Sequence, residues 1–224
     1  MIRRLPHPLT QITVALSYPQ DRAFITHYQR PDESIDIAEI IEAQKAHHIH
    51  LCSSLTALEN PNIPQIAHSF GATVSMDPGW DMDSFNDPNL MNLIAELDYF
   101  LPSQNELMQI TQAEDLEQAA EKALAIMGSG KLVIKTGSKG ARLYSNEIES
   151  DLQVPAIPVN AIDTTGAGDS FDAGFLYAVK QNLPLKTCMQ YGAICGGLAT
   201  TALGGATAFP THAEVKEWLK KSPS

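Results

Sequence analysis

The sequence predicts an α/β fold, with a mostly parallel sheet covered by helices on both faces. Two observations predict it. Short β-rich runs alternate with segments of helical period, the pattern of βαβ units. The 224 residues are 44% hydrophobic and 18% charged, which is ordinary globular composition and enough chain for one full-sized core.

The elements follow in order. Ile12–Leu16 and Ala23–Thr26 are β-rich, and Tyr18–Asp21 between them reads as a turn, so a hairpin is expected. Ile37, Ile40 and Ile41 share a helical face, with Ser34 as N-cap. His50–Cys52 reads as a short strand. Ile63, Ile66, Ala67 and Phe70 line a helix that Gly71 stops. Thr73–Met76 is a strand ending at Asp77-Pro78, Leu90–Leu97 is helical, and Tyr99–Leu101 is a strand. Thr111 and Glu114 have capping-box spacing ahead of a helix with Leu116, Ala120, Ala123 and Met127 on its core face. Gly128 ends that helix. Leu132–Ile134 is a buried strand, and Ala141–Ser145 and Leu152–Ile157 are edge or hairpin strands. Two helices follow the glycines at 166–168. Thr211 and Glu214 cap a last amphipathic helix carrying Val215, Trp218 and Leu219.

Charge and composition exclude several classes. A formal net charge of -11 argues against nucleic acid and against an anionic membrane surface, both of which require a basic patch. No apolar run reaches the roughly 18 residues of a membrane span. Cys52, Cys188 and Cys195 form neither a disulfide framework nor a zinc pattern, and read as reduced thiols of a cytoplasmic protein. His47, His48 and His50 read as a strand edge rather than a metal site. Asp81, Asp83 and Asp87 lack the glycine and terminal glutamate of a calcium loop. Lys139 reads as a solvated turn residue, and Trp80 and Trp218 as packing residues.

The chemical signal is the segment Asp163–Phe171, DTTGAGDSF. Gly166, Ala167 and Gly168 sit where a loop enters a helix expected from about Asp169 to Gln181. Without bulky side chains their amides can approach an anion, and the helix N-terminus adds partial positive charge. Asp169 lies beside that anion hole, although an aspartate at a helix start is also a common N-cap or dipole partner. Amides that stabilise a moving phosphoryl group, next to a base for the hydroxyl proton, are what phosphoryl transfer requires. Position 171 is Phe, so the third glycine of a dinucleotide fingerprint is absent, and no P-loop string occurs.

As a whole the segment resembles the signature of the ribokinase-like (PfkB) carbohydrate kinase family. Leu132–Ala141 resembles that family's strand and nucleotide-side loop, Gly205–Thr211 its closing segment, and Leu101–Glu106 with Ile110-Thr111 its magnesium-motif segment. The resemblance implies a ribokinase-like fold and ATP-dependent phosphorylation of a sugar. It implies Asp169 as general base and Gly166, Ala167 and Gly168 as the anion hole. Thr136, Gly137 and Gly140 would line the nucleotide, and Ala193–Thr201 would form a helix wall beside the adenine. Glu106 would organise Mg2+ through water. Asp163 and the Thr165 carbonyl would hold a monovalent cation, K+, as in some members.

This chain departs from the family pattern at three places. Ser103 stands at the Asn position of the magnesium motif. Gly79 and Asp81 replace Asn and Arg in Asp77-Pro-Gly-Trp-Asp81. The family's long leading segment, with most sugar contacts, is missing, which implies an N-terminally truncated single domain. About 1–30 would be a remnant of the lid or substrate region, and about 31–224 the nucleotide-binding and catalytic core. An exposed sheet edge would then pair copies into a homo-oligomer. A nucleoside is the alternative acceptor. A catalytically inactive remnant that binds nucleotide or a partner is the alternative function.

Overall fold

The computed structural model describes residues 12–17, 22–27, 36–148 and 150–221. The chain divides into two compact units, Met1–Ile37 and Ala38–Ser224. In the first, β1 (Ile12–Ser17) and β2 (Arg22–His27) pair antiparallel, with Val14 opposite Ile25. Ser34, the expected cap of the next helix, lies outside the described residues.

The second unit is built on a six-stranded sheet of β3 (His48–Leu51), β4 (Thr73–Met76), β5 (Tyr99–Phe100), β6 (Lys131–Lys135), β7 (Ala141–Ser145) and β8 (Leu152–Val154). The strands lie in sequence order. The first four are parallel and the last two join antiparallel. α1 (Ile37–Gln44) precedes β3 and buries Ile41. The crossovers carry α2 (Ser54–Glu59), α3 (Ile63–Ser69), α4 (Met82–Phe85), α5 (Leu90–Ile94), α6 (Gln104–Thr111) and α7 (Leu116–Met127). Parallel crossovers are right-handed, and these all step in one direction across the sheet, so their helices share one face. α8 (Ala167–Lys180) and α9 (Leu185–Ala199) cover the other, and α10 (His212–Lys221) packs on α9 through Val215.

Strand alternation sorts the side chains. Tyr99, Leu101 and Val133 face α8 and α9, where Phe175 is fully buried and its ring centroid is 5.6 Å from that of Tyr99. Lys135 has the same parity as Val133, so a cation at the end of β6 also points at α8. The two helices meet closely. A Cβ on Gly174 would stand 2.7 Å from Cys195 Sγ, and one on Gly196 2.9 Å from the Ala167 carbonyl.

Several expectations change. Thr111 does not cap α7. It ends α6, its hydroxyl donating to the Leu107 carbonyl at 2.7 Å, and Asp115 accepts from the Gln118 amide instead. The box stands one helix earlier, at Ser103 and Glu106. The short helices α2 and α4, of six and four residues, were not expected, because fewer than two turns are too short to show a period. α8 begins two residues before Asp169. Trp80 is no core residue: it is 62% exposed, edge-on to Phe85. Among the described residues no helix is long and apolar enough to cross a membrane.

Candidate active site

The carboxyl ends of β4, β5 and β6 and the start of α8 converge, the place where open α/β sheets bind ligands. Gly166 caps α8 at φ 73, a left-handed conformation suited to glycine. A Cβ there would lie 2.2 Å from the Gly205 carbonyl oxygen, so the two loops interlock through bare backbone. Asp163 completes the join. Its Oδ1 accepts from the Thr165 amide (2.9 Å) and hydroxyl (2.7 Å), and its Oδ2 from the Gly204 amide (2.9 Å). Gly168 differs from Gly166: its φ is not left-handed, and a Cβ would meet only Lys135 Nζ at 3.6 Å and Asp77 Oδ2 at 3.8 Å, which is ordinary contact. Asp169 follows it, exposed on the first turn of α8.

Below that turn lies a charge cluster. Lys135 Nζ donates to Asp77 Oδ2 at 2.6 Å and to the Asp172 oxygens at 3.2 and 3.3 Å. The three side chains are 12%, 14% and 3% exposed. Burial alone would push the Lys135 ammonium down, but Asp172 and Asp77 outweigh it and hold it above the ordinary lysine range. Burial likewise opposes the charge on Asp77, yet Lys135 holds that carboxyl below its ordinary value. For Asp172 burial wins, and its carboxyl is raised well above the carboxylate range despite Lys135.

Glu106 stands beside this cluster. The Lys135 amide donates to the Pro102 carbonyl at 2.9 Å, which carries the β5 chain on to Ser103 level with the end of β6. Glu106 Oε2 accepts from the Ser103 amide at 2.7 Å, and Ser103 Oγ accepts from the Glu106 amide at 3.3 Å. Burial raises the Glu106 carboxyl, and Asp77 and Lys135 both act on it. On the opposite flank, burial and then the charges of Asp169, Asp77 and Asp172 raise the Cys52 thiol.

The chain matches the pfkB family carbohydrate kinase over residues 10–212. It belongs to that family. It is 28% identical over 177 residues to a nucleoside kinase of Methanothermobacter thermautotrophicus, covering 79% of this chain and 54% of that one. The chain spans about half the length of several curated relatives it matches. Among solved structures, a putative ribokinase II from E. coli in complex with ATP and Mg2+ superposes with TM-score 0.74 at 20% identity, over 93% of this chain and 71% of that one. A fructokinase double mutant from Vibrio cholerae O395, bound to fructose, ADP and potassium, gives 0.76 at 23% identity, over 95% and 74%. These likenesses establish the ribokinase-like fold.

Within this pfkB member, the residues expected from the sequence divide. Gly166, Ala167, Gly168 and Asp169 come together at one helix start, with Glu106 coupled electrostatically to the cluster beneath. Thr136, Gly137 and Gly140 form a loop of their own after β6. Gly137 is exposed with open space where a Cβ would stand, while Gly140 is buried 2.0 Å from the Val154 carbonyl oxygen by the same measure. The fold itself therefore requires glycine at 140. His48 and His50 serve the sheet: His48 Nδ1 lies 2.7 Å from Thr73 Oγ1, and His48 Nε2 and His50 Nδ1 each lie 2.8 Å from Ser75 Oγ. The sequence reading missed Lys135 and Asp172. Their signal was a carboxylate on the core side of a helix, which demands a buried cation nearby. A separate cavity of about 460 Å3, lined by Val154, Ile157, Ala193, Ile194 and Trp218, contains none of these charged groups.

Proposed function

We propose that this chain is an ATP-dependent kinase that transfers the γ-phosphoryl group to a sugar hydroxyl, with Asp169 as general base. The observation that carries the reading is the exposed Asp169 carboxylate on the first turn of α8, directly after the amides of 166–168. Those amides would stabilise charge on the phosphoryl group in flight. Asp169 would take the hydroxyl proton as the acceptor oxygen bonds to phosphorus and the bond to ADP breaks. Thr136 and Gly137 would line the nucleotide. A nucleoside is the alternative acceptor, since the relatives include a nucleoside kinase as well as fructokinases.

Among the described residues no group of three or more His, Cys, Asp or Glu could cage a metal. Glu106, a half-buried carboxylate with Oε1 outside its cap bond, suits Mg2+ held through water and nucleotide phosphates. When bound, that ion neutralises phosphate charge. Asp163 and the Thr165 carbonyl are oxygen donors for a monovalent cation, K+, beside the anion hole. We assign the first unit to the lid or substrate region and the second to the catalytic core. We place the protein in the cytoplasm, with self-association through the outer edge of β3.

The test is ADP release with Mg2+ and ATP across sugars and nucleosides, beside Asp169→Asn. Turnover with one acceptor, reduced in the variant by at least about 10²-fold, supports the reading. Wild-type turnover that survives Asp169→Asn overturns the assignment of the base. MgATP binding without turnover on any acceptor establishes the alternative, a nucleotide-binding protein without catalysis.

A further inference from the structure

The cluster of Asp77, Lys135 and Asp172 is poorly explained as a stabilising device. Buried ion pairs cost desolvation that their attraction often only repays, and well-packed apolar residues commonly do as well. Its placement offers a better account. The three side chains come from three elements: Asp77 just beyond the end of β4, Lys135 from the last residue of β6, and Asp172 from α8. Asp172 lies three residues after Asp169, so the two carboxylates share one helix face a single turn apart. A turn or slide of α8 that moved Asp169 would have to pull Asp172 off the Lys135 ammonium, 3.2 Å away. The clamp also reaches the anion hole, because the space beside Gly168 is bounded by Lys135 Nζ and Asp77 Oδ2.

We propose that Lys135 and Asp172 are positioning residues. Gripped between Asp77 and Asp172, the Lys135 ammonium locks the first turns of α8 against the carboxyl edge of the sheet. The amides of 166–168 and the carboxylate of Asp169 then face the same terminal phosphoryl group. The inference rests on the kinase reading above, and it gives the clamp a specific duty: recognition of the third phosphate of a nucleoside triphosphate.

Calorimetric titration of MgATP and MgADP tests it, because ADP lacks the phosphoryl group that the anion hole receives. Lys135→Met combined with Asp172→Asn removes the ammonium and one of its two carboxyl partners together. Asp172→Asn alone keeps the ion pair of Lys135 with Asp77, and serves if the double variant does not fold. Circular dichroism melting verifies the fold of each. The expected result is a loss of MgATP affinity of about tenfold in the double variant and about threefold in the single one, with MgADP affinity within about threefold of wild type. Folded variants whose two affinities are unchanged, or fall equally, overturn the clamp and leave the kinase reading intact. A wild-type chain that binds no MgATP overturns the kinase reading itself, and the clamp with it.

Discussion

Replacing Gly168 by alanine should separate folding from ligand binding, and Gly166→Ala provides the contrast. At Gly166 the backbone sits at φ 73, and an added Cβ would lie 2.2 Å from the Gly205 oxygen and 2.9 Å from its carbonyl carbon. The left-handed conformation costs an L-residue about 1–2 kcal/mol. Forcing two backbones apart adds about 1–3 kcal/mol, for a total of about 2–5 kcal/mol. At Gly168 neither cost arises: φ is not left-handed, and the nearest atoms are 3.6 and 3.8 Å from the new methyl. Alanine is the better helix former by up to about 1 kcal/mol, and less in a first turn. Gly168→Ala should therefore match or exceed wild-type stability in urea unfolding, while the methyl obstructs close approach of a phosphate to the amides. MgATP affinity should fall at least about tenfold, about 1.4 kcal/mol. Wild-type MgATP binding by Gly168→Ala would refute the reasoning, since nothing in the fold itself requires glycine there. Wild-type stability of Gly166→Ala would refute the interlock with Gly205.

Two further outcomes are expected. Glu106→Gln should keep the capping box, because glutamine serves at that position, and so unfold within about 0.5 kcal/mol of wild type. Glu106→Ala should cost about 1 kcal/mol. Both should raise the Mg2+ concentration needed for nucleotide binding, and a magnesium titration unchanged in Glu106→Gln would remove Glu106 from that role. His48 should govern part of the acid stability. Burial, reinforced by His50, lowers it from 6.5 to about 4, so the folded ring stays neutral where the unfolded one takes up a proton. Stability is then full above pH 6.5 and lost as pH falls towards 4. Linkage sets a ceiling of about 1.4 kcal/mol per pH interval of one, which partial exposure of the ring reduces to about 2 kcal/mol in total. Unfolding of His48→Gln across this range should show a correspondingly shallower acid limb, and an unchanged limb would refute the assignment.

How much was legible in the sequence depended on whether the cause was local. The strands at 73–76 and 132–134 carry their burial in their own residues. The Thr211–Glu214 box forms as expected, with Glu214 Oε2 2.7 Å from both the Thr211 amide and hydroxyl. The glycines at 166–168 announce a helix start. Thr111 and Glu114 show where spacing alone fails. They match the box as well as Ser103 and Glu106 do, but Gln112 turns left-handed at φ 49 and ends α6 before Glu114 can serve. Lys135 and Asp172 escaped for another reason, since the core-side carboxylate calls for a cation but does not say which one. They are 37 residues apart, and a lysine ending a strand ordinarily reads as solvated. Only the topology, which sets β6 beneath α8, brings that cation to the carboxylate.

The same topology bears on which aspartate can act as base, since four stand near the proposed anion hole. Asp163 accepts three hydrogen bonds from its own loop and from Gly204, and protonating it would release the join that holds Gly166. Asp77 is bound to Lys135 and accepts from the Gly79 amide at 2.8 Å, with its carboxyl held below the ordinary range, which makes it a poor proton acceptor. Asp172 is 3% exposed and faces Lys135, out of reach of an acceptor arriving from solvent. Asp169 is the exposed one, on the first turn, adjoining the amides that would bear the phosphoryl charge. A general base must reach the hydroxyl before its basicity matters. On the proposed reading, one helix therefore presents two aspartates a turn apart, the inner one bonded to Lys135 and the outer one exposed beside the amides of 166–168 for proton transfer.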